Sequence, residues 1–125
     1  MRRLLVPLMI LATTSALAGQ ALSPRSLYIV AATTPPDKIP ALCDKIVARQ
    51  DTDKVGMTDA AQLYFHGQLM GVHCVRVDYV KALTLAKKAG DRDAYNAYLR
   101  LIKNKAEDGN PLAQSALDKM GTKPM

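Results

Sequence analysis

The stretch HGQLMGVHC, residues 66 to 74, sets both histidines of the chain beside one of its two cysteines. Three chemistries use such residues. As metal ligands, His66, His73, Cys74 and Asp78 would offer imidazole, thiolate and carboxylate donors. The H-x6-H-C spacing matches no standard zinc form, however, and it spends a cysteine that a crosslink would need. As nucleophile and base, Cys74 and His73 would require a thiolate, a positioned imidazole and an oxyanion hole. Neighbours in sequence need not face one another, so adjacency alone supplies none of these. The third chemistry is a crosslink between Cys43 and Cys74. An even cysteine count in an oxidising compartment argues for a disulfide, and two cysteines permit a single intramolecular pairing. Free thiols, or pairing with another chain or a redox partner, are the rival states. There is no C-x-x-C. The reading adopted is a Cys43–Cys74 disulfide with solvent-facing or locally hydrogen-bonded histidines, and with no catalytic residue, metal or cofactor.

Carboxylate pairs add little to a catalytic case. Asp51 with Asp53, and Asp91 with Asp93, fall at expected helix boundaries, where capping explains them. Glu107 is the only glutamate and sits near a helix end. No Gly-rich phosphate loop, serine elbow or HExxH is present.

The compartment is legible at the start of the chain. MRRLLVPLMILATTSALA joins a positive start (Arg2, Arg3) to a short apolar run and to the small-residue site Ala16-Leu17-Ala18. That order is a secretory signal peptide, residues 1–18, too short and interrupted to serve as a membrane-spanning helix. Periplasmic or secreted localisation is expected, without stable membrane insertion after cleavage. Loss of the leader lowers the formal charge from +6 to +4 (15 basic residues against 11 acidic). The basic residues sit singly or in pairs such as Lys87-Lys88, which excludes the dense patch that nucleic-acid binding needs. A chain this short makes one small domain that a covalent staple would help.

Residues 19–36 read as an N-terminal arm. Pro24, Pro35 and Pro36 break helices, and Leu27-Tyr28-Ile29-Val30 is apolar enough to dock as an extended strip. Residues 37–125 carry a helical period. Asp37 can cap a first helix whose buried stripe is Ile39, Leu42, Cys43, Ile46 and Val47. Gln50 to Gly56 reads as a connection, and Thr58 or Asp59 as the cap of a helix burying Ala60, Ala61, Leu63, Tyr64 and Gly67. Gln68 to Val77 is a loop. Asp78 caps a helix that turns Tyr79, Ala82, Leu83, Ala86 and Ala89 inward, and Gly90 stops it. The next helix starts near Asp91 to Asp93 and runs to Glu107, with Ala94, Ala97, Tyr98, Leu101 and Ile102 as its stripe, widened by Tyr95 and Leu99. Pro111 opens a last helix burying Leu112, Ala113, Ala116, Leu117 and Met120. The final GTKPM should fray. Nothing reads as a strand pair, so the class is all-α, built from antiparallel hairpins.

The stretches AAQLYFHG and DYVKALTLAKKAGDRDA resemble the Sel-like repeat, a relative of the tetratricopeptide repeat. The positions that carry the likeness are Ala60, Leu63, Gly67, Gly71, Asp78, Lys81, Ala82, Ala89, Gly90 and Ala94. KAEDGNPLAQSAL adds a second echo at Gly109, Ala113 and Leu117. The likeness covers roughly residues 57–120. It departs from the family in a longer loop between Gly67 and Asp78 that carries Cys74, and in a second unit without a full second helix. Repeat arrays usually need three or more units to bury a continuous core, so the helix after Asp37 is expected to act as an N-terminal cap.

The resemblance implies αα-repeat hairpins of tetratricopeptide-like superhelix type and an adaptor or regulatory role in cell-envelope complexes. The partner would be a protein or peptide, the chain a monomer, and catalysis absent. Tyr95, Asn96, Arg100 and Lys103 are the expected partner-binding face, a groove suited to a peptide. Two other classes stay open. A small envelope enzyme or cell-wall modifier would need a cleft with a perturbed acid or thiol. A passive structural or stress-protective periplasmic protein would need no partner surface.

Overall fold

A computed structural model describes residues 24–125. The expected leader, residues 1–18, and the start of the arm lie outside the described residues. The described residues are all-α apart from one very short hairpin. Helix α1 spans Pro24–Thr33, where the sequence suggested an extended strip. Proline is tolerated at the head of a helix, where its missing N–H has no partner to lose. Leu27 and Ala31, one turn apart, both drop into the core, and that burial favours a helix over a strip. Thr34 Oγ1 donates to the Val30 carbonyl at 2.6 Å as the helix ends, and Pro35-Pro36 prevents its continuation.

A 3-10 turn, Pro36–Lys38, leads into helix α2, Ile39–Ala48. Asp37 lies inside that turn and does not cap, because α2 begins without a side-chain cap. Ile39, Cys43 and Ile46 form the buried stripe of α2, with Leu42 and Val47 half-buried beside it.

Helix α3, Lys54–His66, starts a full turn before the expected cap. Asp53 is the cap, its Oδ1 accepting the Gly56 N–H at 2.7 Å. Every residue from Thr58 to Phe65 is buried. A helix buried all round is a central one, and α3 packs against α1, α2 and, most extensively, helix α4, Tyr79–Ala89. Asp59 and Gln62 are therefore interior residues. The sequence reading gave α3 a single buried face, which was too narrow.

Gly56 explains how α2 and α3 meet so closely. A Cβ there would overlap the Arg49 carbonyl oxygen, a backbone atom that cannot swing aside. Gly56→Ala should therefore cost about 1–3 kcal/mol despite the better helix propensity of alanine. Urea unfolding would read this as a lower midpoint at unchanged slope.

Between α3 and α4 the chain forms a hairpin, β1 (Gln68–Leu69) against β2 (Val72–His73), in place of the expected plain loop. Met70 and Gly71 at its tip have φ of 48° and 79°, the positive pair that a tight two-residue hairpin turn demands. Helix α5 spans Arg92–Glu107 and helix α6 Pro111–Met120. Three starts follow the sequence reading closely. Asp78, Asp91 and Asn110 accept N–H bonds from Lys81, Ala94 and Ala113 at 3.0, 3.1 and 3.0 Å. Gly90, at φ 70°, ends α4. The buried line of α5 is Tyr95, Leu99 and Ile102, while Leu101 faces outward. In α6, Ala113 and Ala116 are buried and Leu112 is exposed.

Candidate functional site

Cys43 and Cys74 are joined, with Cα atoms 5.6 Å apart. Cys43 comes from the buried stripe of α2, and Cys74 follows β2 directly. Gly67 prepares the hairpin's return: it caps α3 at φ 74°, and its carbonyl accepts the N–H groups of Cys74 and Val75. A Cβ at Gly67 would come within 2.7 Å of Val77 Cγ2.

The same hairpin sets His66 and His73 on the walls of one open cleft of about 440 Å³, with Gln68 and Arg76. Burial, and then the Lys105 charge, hold the His66 imidazole below its ordinary pKa. The cleft is thus lined by imidazoles and a guanidinium, without a carboxylate or a free thiol. Among the described residues no three His, Cys, Asp or Glu side chains converge on a point that could hold a metal ion.

The four residues expected to form a partner face divide. Tyr95 is a core residue, 4% exposed. Asn96 and Lys103 are half-buried and Arg100 is exposed. Asn96 is engaged: its Oδ1 accepts the Met125 N–H at 2.9 Å, and its Nδ2 donates to the Met125 carbonyl at 3.5 Å. The first of these is a well-formed bond to a backbone N–H; the second is a long contact. Of the last residues, expected to fray and all exposed, Met125 meets α5 at Asn96.

The residues that carry the repeat likeness differ in their burial and backbone geometry. Ala60, Leu63, Ala82, Ala89 and Ala113 are buried, and Ala94 and Leu117 are half-buried. Gly67, Gly71, Gly90 and Gly109 all take positive φ. Asp78 caps α4, and Lys81 Nζ lies 4.7 Å from the Tyr64 ring centroid.

One site escaped the sequence reading altogether. Between α2 and α3 lies a cavity of about 310 Å³ walled by Leu42, Ile46 and Ala48, with Lys45, Arg49, Gly56 and Asp59 completing it. Asp59 is 4% exposed, and its Oδ1 takes no hydrogen bond from the protein. Gln62 Oε1, one turn further along α3, is buried and without a donor as well. Burial raises the Asp59 carboxyl to a pKa of about 7; nearby Arg49 opposes that rise and Asp53 adds to it. Arg49 is itself held 3.7 Å from Asp53. This is a perturbed acid beside a cavity, one requirement of the enzyme reading, but the lining brings no hydroxyl, thiol or imidazole to act with it. In the sequence Asp59 offered itself only as a helix-cap candidate.

No family model, curated protein or solved structure matches this chain. Its function is therefore argued from the sites themselves. None of the described helices is long and apolar enough to cross a membrane. The disulfide is compatible with an oxidising location outside the cytoplasm.

Proposed function

We propose that the chain is an exported, non-catalytic helical-repeat protein of the Sel-like kind that binds an extended peptide segment of a protein partner in the cell envelope. The observation that carries this reading is the Asn96 amide, whose Oδ1 accepts the Met125 N–H at 2.9 Å while its Nδ2 lies 3.5 Å from the Met125 oxygen, on the face singled out from the sequence. A side chain that pairs with one backbone unit can pair with another, because those groups are common to every residue. Arg100 and Lys103 lie one and two turns further along α5 and supply charge for selecting the partner's side chains. The Cys43–Cys74 bond supports the exported location. The chain acts as a monomer, with the periplasm as its compartment.

The burial of Tyr95 and the self-contact at Asn96 favour one second reading, a passive structural protein whose face is already satisfied. A capture experiment separates the two. Mature chain ending at Gly121, which frees Asn96, should retain a partner from envelope extract that the same chain with Asn96→Ala, Arg100→Ala and Lys103→Ala loses. Tyr95 is left intact because its removal would open the core. Identical captures from both baits would end the peptide-binding reading.

A further inference from the structure

We propose that the cavity between α2 and α3 is a binding site for a free α-amino acid with an apolar side chain, its ammonium group on Asp59. Charge and shape both point to this occupant. Leu42, Ile46 and Ala48 provide an apolar wall. The cavity's volume, about 310 Å³, is at the small end of the range that proteins devote to small molecules. Asp59 lines the cavity while only 4% exposed, and its carboxyl receives no hydrogen bond from the described residues, so a ligand that brings a donor to its accessible edge is favoured. Lys45 and Arg49 line the same cavity and carry the opposite charge. An acid and two bases around an apolar wall match a molecule with an ammonium, a carboxylate and a hydrocarbon side chain. A simple amine would leave Lys45 unanswered and be repelled by it, and a simple carboxylic acid would leave Asp59 unanswered.

The charge state of Asp59 gives the site a signature. Its carboxyl titrates near neutrality in the free protein, and a bound ammonium stabilises the ionised form. Binding at pH 7 must then release protons, and affinity must rise as the pH is taken from 6 to 8. The charged groups facing Asp59 are Arg49 and Lys45 from α2 and Asp53 from the start of α3.

The test is calorimetric and thermal titration of the full mature chain with L-leucine. 3-Methylbutylamine, which lacks the carboxylate, and 4-methylpentanoate, which lacks the amine, are titrated in parallel. Leucine should raise the melting midpoint by about 5 °C at ten times its Kd, with proton release seen as a dependence of heat on buffer identity. Both truncated ligands should bind at least about tenfold more weakly, and Asp59→Asn should abolish proton release and weaken leucine by a similar factor. Asp59→Asn keeps the side-chain shape and removes a buried charge, so the variant folds. The proposal is overturned by leucine failing to bind at 10 mM, by either truncated ligand matching it, or by Asp59→Asn binding it unchanged. This inference stands apart from the peptide face on α5, and neither result decides the other.

Discussion

Reduction of the Cys43–Cys74 bond lowers the stability of the protein by roughly 3–4 kcal/mol, a large share of what a domain of this size possesses. The bond spans a sequence separation of 31 residues, and in the chain-entropy model that loop length sets the magnitude. Geometry strengthens the expectation. Cys43 is 2% exposed on the packed stripe of α2, and Cys74 is fixed from the other side by its N–H bond to the Gly67 carbonyl at 2.9 Å. Cutting the bond unties α2 from the hairpin after α3 while leaving both ends in place. The check is urea unfolding of oxidised and reduced protein side by side, with a Cys43→Ala, Cys74→Ala double variant as the control without reductant. Equal midpoints would remove the staple from any account of this fold.

Asp59→Asn has the second largest expected effect, and its sign depends on pH. In the folded protein the Asp59 carboxyl keeps its proton up to about pH 7, whereas in the unfolded chain it releases it near the ordinary value of 3.8. Between those limits the native state binds more protons than the unfolded one, so stability falls as the pH rises. The loss is complete above about pH 7. Asparagine cannot ionise, so the variant should be more stable than the natural chain at pH 8, by an amount on the order of 2–4 kcal/mol. Near pH 4 the two should melt together. Unfolding midpoints of both proteins across pH 4 to 8 would show converging curves at the acid end and a gap at the alkaline end. Parallel curves would mean that Asp59 is solvated in the native state.

How far the sequence carried the structure depends on what each signal was local to. Start signals are local: Asp78 and Asp91 each bond an N–H only three residues ahead, and Pro111 suits a first helical position, so three helix starts were legible. The inward faces of α2 and α4 were legible for a similar reason, since each helix has one solvent side that makes its period visible. α3 has no such side. With Gly56 and every residue from Thr58 to Phe65 covered, its burial depends on α1 and α2 arriving from elsewhere in the chain, and a polar Asp59 in that run was read as a cap. α1 was missed because prolines at both ends read as breakers, although only the later pair ends the helix. The hairpin tip was missed because Met70 is an unusual occupant of a positive-φ position.

The candidate sites split along the same line. The disulfide needed only a count and a compartment. Of the residues expected to form a peptide face on α5, Tyr95 belongs to the inner side of the helix and Asn96 to its accessible one, a rotation that depends on where α6 packs. The Asp59 cavity was invisible, because its walls come from two helices whose close approach is set by the missing side chain at Gly56.

The enclosure of α3 also decides how the molecule holds together. In a linear array each unit touches only the next, and stability accumulates piece by piece. Here one rod is shared by the elements ahead of it and the elements behind it, so neither flank owns a complete interior. Removing α1 and α2 would strip one side of that rod, and removing α4 would strip the other. The described fold is indivisible.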